Sequence, residues 1–79
     1  MGAYLSKEEL DQACWPVYQR LLAELGERYA NWIVFIEPQS ENYFLGQDDV
    51  EILNRARKRY PSAQFFGYRL NEDTFVDRL

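Results

Sequence analysis

From residue 6 onward the apolar positions fall on a helical repeat. Ser6 and Glu9 stand at the S-x-x-E spacing of a capping box, in which hydroxyl and carboxylate satisfy free backbone donors at a helix start. Leu10, Cys14, Val17, Leu21 and Leu25 follow at intervals of three and four, with Ala13, Tyr18 and Leu22 beside them. Lys7, Asp11, Glu24, Glu27 and Arg28 hold the opposite side, so a first helix with one buried face is predicted. Pro16 lies inside this pattern; it removes one helix hydrogen bond and biases Trp15 away from helical angles, and a kink or a break is expected near residue 15. Gly26 or Asn31 supplies the left-handed stop.

The period then changes. Trp32 to Ile36 is β-branched and aromatic on both faces, as a central strand covered on two sides should be. Glu37 to Asn42 is polar turn material, Tyr43 to Leu45 resumes a short strand, and Gly46 ends it, so the pair reads as a hairpin with a longer loop. Asp48 and Glu51 repeat the capping spacing for a second helix, whose Val50, Leu53, Ala56, Arg57 and Tyr60 share a face until Pro61 stops it. In the last strand, 65 to 70, Phe66, Tyr68 and Leu70 take one face and Phe65, Gly67 and Arg69 the other.

The order α-β-β-α-β predicts an α+β domain: a three-stranded, mostly antiparallel sheet of order 2-1-3 packed with two helices. A disordered N-terminus is expected over residues 1–5, one domain over 6–70 and an acidic tail over 71–79. Three strands leave two open edges, whose unpaired backbone groups can accept a further strand.

Composition sharpens this in a few ways. The 79 residues leave no room for a second domain, and a chain this small removes only about 60–65% of its unfolded surface from water. Two Trp, six Tyr and five Phe therefore carry much of the burial, and they exceed what so small a core readily encloses. Net charge is −4, which disfavours generic nucleic-acid binding. With no histidine, no Ser-His-Asp or Cys-His triad can be built. Cys14 is the one cysteine, which excludes an internal disulfide or a CxxC site and fits a reducing, cytoplasmic setting. No apolar run approaches the roughly 20 residues of a membrane span. Met1-Gly2 with Ser6 satisfies the loose myristoylation pattern, but the pattern is short and common, and Ser6 is read instead as a helix cap preceded by a few disordered residues.

The segment Asn31-Trp32-Ile33-Val34-Phe35-Ile36-Glu37-Pro38, with Ser40, Tyr43-Phe44, Ala56-Arg57, Tyr60-Pro61 and Tyr68-Arg69, resembles a small uncharacterised bacterial family of the DUF5678-like kind. That family has a tryptophan-led strand running into Glu-Pro, a hairpin, a helix ending in Tyr-Pro and a strand ending in arginine. It often carries glycine where this chain has Asn31 and Glu41. The resemblance covers residues 31–70 and implies the fold and a bacterial, cytoplasmic origin; it brings no activity.

Several residues carry candidate chemistry. Glu37 and Arg69 are expected to form a structural ion pair at one end of the sheet, or Arg69 to hold an anion beside Tyr43 or Tyr68. Asp48, Asp49 and Glu51 lack metal-loop spacing and read as helix caps, so no metal or cofactor is expected. Arg55, Arg57, Lys58 and Arg59 form a basic cluster that opposes the helix dipole or contacts an anion or nucleic acid. Trp15, Tyr18, Tyr43, Phe65 and Tyr68 are the expected partner-binding aromatics. Together these predict a non-enzymatic interaction or regulatory module that binds a protein partner, or itself as a homodimer, through a sheet edge and exposed aromatics. The alternative is a small nucleic-acid-associated regulator using the basic cluster. An enzyme would have to draw on Glu37, Asp48 or Asp49.

Overall fold

A computed structural model of the chain describes residues 4–70 and the backbone of residues 75–76. Helix α1 spans Lys7–Leu25 and starts at the expected capping box: the Ser6 hydroxyl accepts from the Glu9 amide at 3.1 Å while the Ser6 amide donates to the Glu9 carboxylate at 2.9 Å. Its buried face is Leu10, Cys14, Val17, Tyr18 and Leu21. The helix runs through Pro16 undivided, so the break expected near residue 15 does not occur. Pro16 and Gln12, whose carbonyl would have received the missing amide, are both exposed, which leaves that carbonyl within reach of solvent and keeps the cost of the lost bond small. Gly26 remains right-handed at φ −59°, and the left-handed residue is Asn31, at φ 69°.

Strand β1 is Ile33–Ile36, β2 is Tyr43–Gly46, β3 is Phe66–Arg69 and β4 is Phe75–Val76. The order is β2-β1-β3-β4 and every pairing is antiparallel. The expected 2-1-3 arrangement is present, and Phe75–Val76, placed by the sequence in an acidic tail, adds a fourth strand against Gly67 and Tyr68. The rest of 71–79 lies outside the described residues. Because the side-chain period of a strand is two, Val34, Ile36, Phe66 and Tyr68 gather under α1, while Ile33, Phe35 and Phe65 face the second helix. The sheet is thus covered on both faces, which explains why all four β1 residues are buried.

Helix α2 spans Asp49–Arg59. The Asp48 carboxylate caps it by accepting from the Val50 amide at 3.2 Å, but Glu51 pairs with Arg55 one turn on, at 2.9 Å, and does not complete a capping box. The buried face is Ile52, Leu53 and Ala56, with Tyr60 packed beside it. Val50, expected on that face, is 57% exposed, because the buried stripe is centred on Ile52, Leu53 and Ala56 and, at ~100° per residue, Val50 falls about a third of a turn from its centre.

The segment before α1 is anchored at residue 5. The Gln64 side-chain amide grips the Leu5 backbone in both directions, accepting from its N–H at 2.9 Å and donating to its carbonyl at 2.9 Å. Leu5, within the stretch 1–5 expected to be disordered, thus makes two hydrogen bonds to Gln64; residues 1–3 lie outside the described residues. This strap separates two shallow clefts of about 450 and 430 Å³, the first floored by Leu10, Leu53, Phe65 and Phe66 and rimmed by Lys7 and Arg57.

Candidate interaction surface at the outer edge of the sheet

Among the described residues strand β2 has a neighbouring strand on one side only, β1. Asn42 accepts from the Glu37 amide at 2.9 Å, so in the alternating antiparallel pattern Asn42, Phe44 and Gly46 direct their backbone groups at β1. Tyr43 and Leu45 direct theirs outward. Arg55 confirms this: its guanidinium reaches around from α2 and donates to the outward Leu45 carbonyl at 2.7 Å. Gly46 makes room for that reach, since a Cβ there would come within 2.7 Å of Ile52 and 3.2 Å of the Arg55 guanidinium. The side chains of Tyr43 and Leu45 lie on the α1 face, but α1 packs over β1 and β3, so Tyr43 stands 42% exposed and Leu45 half-buried.

The hairpin loop fixes where this edge begins. Glu37 is only 5% exposed, and its carboxylate accepts from the Gln39 amide at 3.0 Å and the Ser40 amide at 2.8 Å. Burial by itself pushes this carboxyl up, but hydrogen bonds from the Ser40 side chain and the two amides outweigh it and hold the group below the usual carboxylate range. Ser40 Oγ accepts from the Asn42 amide at 3.1 Å, and Asn42 Nδ2 donates to the Tyr60 hydroxyl. Hydrogen bonds from Ser40 and Asn42 hold the Tyr60 phenol below its ordinary range and tie the loop to the end of α2. Glu41 closes the turn in the left-handed region, at φ 63°. Polar turn composition predicts the loop but not this network; the signal for it in the sequence is an acidic residue two and three positions before amides it can cap.

The five aromatics expected to bind a partner divide sharply. Tyr18, Phe65 and Tyr68 are core residues at 4%, 5% and 2% exposure, which corrects their assignment to a binding surface. Tyr18 and Tyr68 stack at 4.3 Å between their ring centroids; the Tyr18 hydroxyl donates to the Arg69 carbonyl and the Tyr68 hydroxyl to Asp11 at 2.5 Å, so both polar tips are satisfied inside. Phe65 packs edge-on against Phe44 on the α2 face. Trp15 and Tyr43 are exposed, at 45% and 42%. They do not share a surface: Trp15 leans on Tyr18 and on Tyr68 of β3, across β1 from β2, while Tyr43 lies on the far flank of α1.

The expected pair of Glu37 with Arg69 does not form. Antiparallel register sets Arg69 opposite Ile33 at the start of β1, whereas Glu37 follows its end, roughly 13 Å along the strand. Arg69 instead donates to the Asn31 carbonyl at 3.1 Å. The basic residues of α2 point to different neighbours: Arg55 to Glu51 and Leu45, Arg59 over the Tyr60 ring at 5.4 Å, and Arg57 into the first cleft, with Lys58 exposed between them. Cys14 is fully buried; burial, with Asp11 and Glu37 nearby, pushes its thiol up to about 12, and its S–H points at the Ile36 carbonyl. Among the described residues no group of acidic, cysteine or histidine side chains is placed to hold a metal ion, and no helix is long and apolar enough to cross a membrane.

Compared with known proteins, the chain matches no family model, no curated protein and no solved structure.

Proposed function

We propose that the protein is a non-enzymatic interaction module that binds an extended protein segment along the outer edge of β2, in a reducing, cytoplasmic setting suited to its single buried thiol. One observation carries the reading: Tyr43 and Leu45 turn their backbone donors and acceptors away from β1 at an edge that no other described strand covers. Main-chain pairing at such an edge supplies affinity, and alternate side chains supply selectivity. Tyr43 is the exposed aromatic at this edge, of the type that anchors interfaces. The hairpin loop supports the role by holding the strand's entry rigid before any partner arrives, which reduces the ordering cost of binding.

The test is affinity capture from host lysate at low and high salt, with nuclease, comparing the wild type with Tyr43→Ala and Trp15→Ala. A protein retained at high salt by the wild type and by Trp15→Ala, and lost by Tyr43→Ala, supports the β2 edge. Capture that survives Tyr43→Ala removes this edge from the account, and capture that requires nucleic acid and low salt replaces it with electrostatic binding through the α2 cations.

A further inference from the structure

We propose that the segment taken up by this edge is the β2 strand of a second copy of the chain, so that two sheets join about a twofold axis beside Phe44. This deepens the reading given under Proposed function and rests on it. The argument is one of self-complementarity. A twofold contact requires that a surface fit itself, residue i meeting j wherever j meets i. The outward residues of β2 are Tyr43 and Leu45, placed symmetrically about Phe44. Antiparallel pairing centred there sets Tyr43 opposite Leu45 of the second copy and Leu45 opposite its Tyr43, and each facing pair exchanges two backbone hydrogen bonds. The Leu45 carbonyl already accepts from Arg55, but a carbonyl oxygen has two lone pairs, so the guanidinium need not leave.

The side chains agree with the backbone. Under this pairing Tyr43 meets Leu45 on the face that α1 leaves uncovered, an aromatic–aliphatic cross-strand pair, while Phe44 meets Phe44 on the other face. The paired stretch 42–46 contains no charged residue, although the chain carries −4, so carboxylate does not face carboxylate across the axis. It also lacks the lysine, proline or inward-pointing charge with which edge strands ordinarily discourage pairing; Arg55, arriving from α2, guards one carbonyl and leaves the outward amides of Tyr43 and Leu45 open.

The orientation of the Tyr43 amide supplies a clean variant. Because that N–H points away from β1, Tyr43→Pro removes a donor to the second copy and none to the chain's own sheet. Sedimentation velocity of the full chain from micromolar to millimolar concentration, with far-ultraviolet circular dichroism of each variant, tests the proposal. The wild type and Trp15→Ala should show a reversible monomer–dimer equilibrium, and Tyr43→Pro should weaken dimerisation at least tenfold with an unchanged spectrum. Tyr43→Asp, which keeps the backbone and places like charges near the axis, should do the same and decides the matter if Tyr43→Pro unfolds. A wild type that stays monomeric at millimolar concentration overturns the proposal, as does a dimer that persists in Tyr43→Asp or is lost in Trp15→Ala. A monomeric wild type that still captures a protein in a Tyr43-dependent way overturns the second copy as partner while the reading of the edge stands; loss of both removes both.

Discussion

Phe35 of β1 lies directly across from Gly67 of β3, and its ring occupies the place of the missing side chain: a Cβ on residue 67 would come within 2.5 Å of the ring. Phe35 is fully buried between β2 and β3 under α2, so it has nowhere to retreat. Gly67→Ala is expected to destabilise the fold by about 1–3 kcal/mol through overpacking. Urea denaturation measures this, and adding Phe35→Leu to Gly67→Ala should cost less than the sum of the two single changes, because the smaller side chain makes the room that alanine needs.

Glu41 and Asn31 hold left-handed backbone, at φ 63° and 69°, a region that glycine enters without a Cβ penalty. Left-handed angles cost a glutamate about 1 kcal/mol more than they cost a glycine, and asparagine tolerates them better. Glu41 also pairs with Arg20 at 3.6 Å, but both side chains are more than half exposed and the pair is worth little. Glu41→Gly is therefore expected to raise the thermal midpoint, by roughly 0.5–1 kcal/mol in stability, and Asn31→Gly to change it less. A lowered midpoint for Glu41→Gly would mean that the ion pair, and not the backbone, dominates at this turn.

Glu37 ties stability to pH. Its folded-state pKa lies below its unfolded value, so the carboxylate's contribution is complete above the ordinary carboxylate range and is lost as pH falls through the folded-state value. Glu37→Gln should be markedly less stable than the wild type at neutral pH, by about 1–3 kcal/mol for a buried charged acceptor, and the gap should close on acidification. Urea midpoints at neutral pH and in the acid range check this; a gap of constant size would show that the charge does not matter.

Cys14 should be chemically silent. It is fully buried and its thiol is pushed up to about 12, so the reactive thiolate is scarce near neutral pH and sheltered. Labelling by a disulfide reagent is expected to proceed only as the chain unfolds, with a rate that rises alongside denaturant-induced opening. Rapid labelling of the native protein would contradict this packing.

Much of the fold was legible because short-range chemistry decided it. Ser6 with Glu9, the residue-2 alternation through Phe65–Leu70 and the two-sided apolar run at Ile33–Ile36 each specify an element and its buried side without help from distant residues. The misreadings share a cause in tertiary context. Glu37 and Arg69 were paired because both close a strand, but antiparallel register carries those ends apart. The excess of aromatics over a small core points Tyr18 and Tyr68 to the surface, yet the fold encloses both, and the Arg69 carbonyl and Asp11 satisfy their hydroxyls from within. Val50 shares a face with Leu53 and Arg57 in the pattern and still faces solvent, since the sheet takes up the neighbouring stripe of Ile52, Leu53 and Ala56. Of the site, the sequence marks Tyr43 and, through the order 2-1-3, its strand as a sheet edge; that Tyr43 and Leu45 turn their backbone groups outward, and that Arg55 reaches the Leu45 carbonyl, follows only from the assembled sheet.

The central claim is that the outward side of β2 is a pairing surface, and amide hydrogen exchange along Tyr43–Gly46, followed through a dilution series, addresses it residue by residue. Phe44 and Gly46, bonded to β1, should exchange slowly at every concentration. Tyr43 and Leu45 should exchange quickly when the protein is dilute and slow down as concentration rises, the two amides changing together. Fast exchange at Tyr43 and Leu45 at every concentration, and equally with any captured protein bound, would contradict the account.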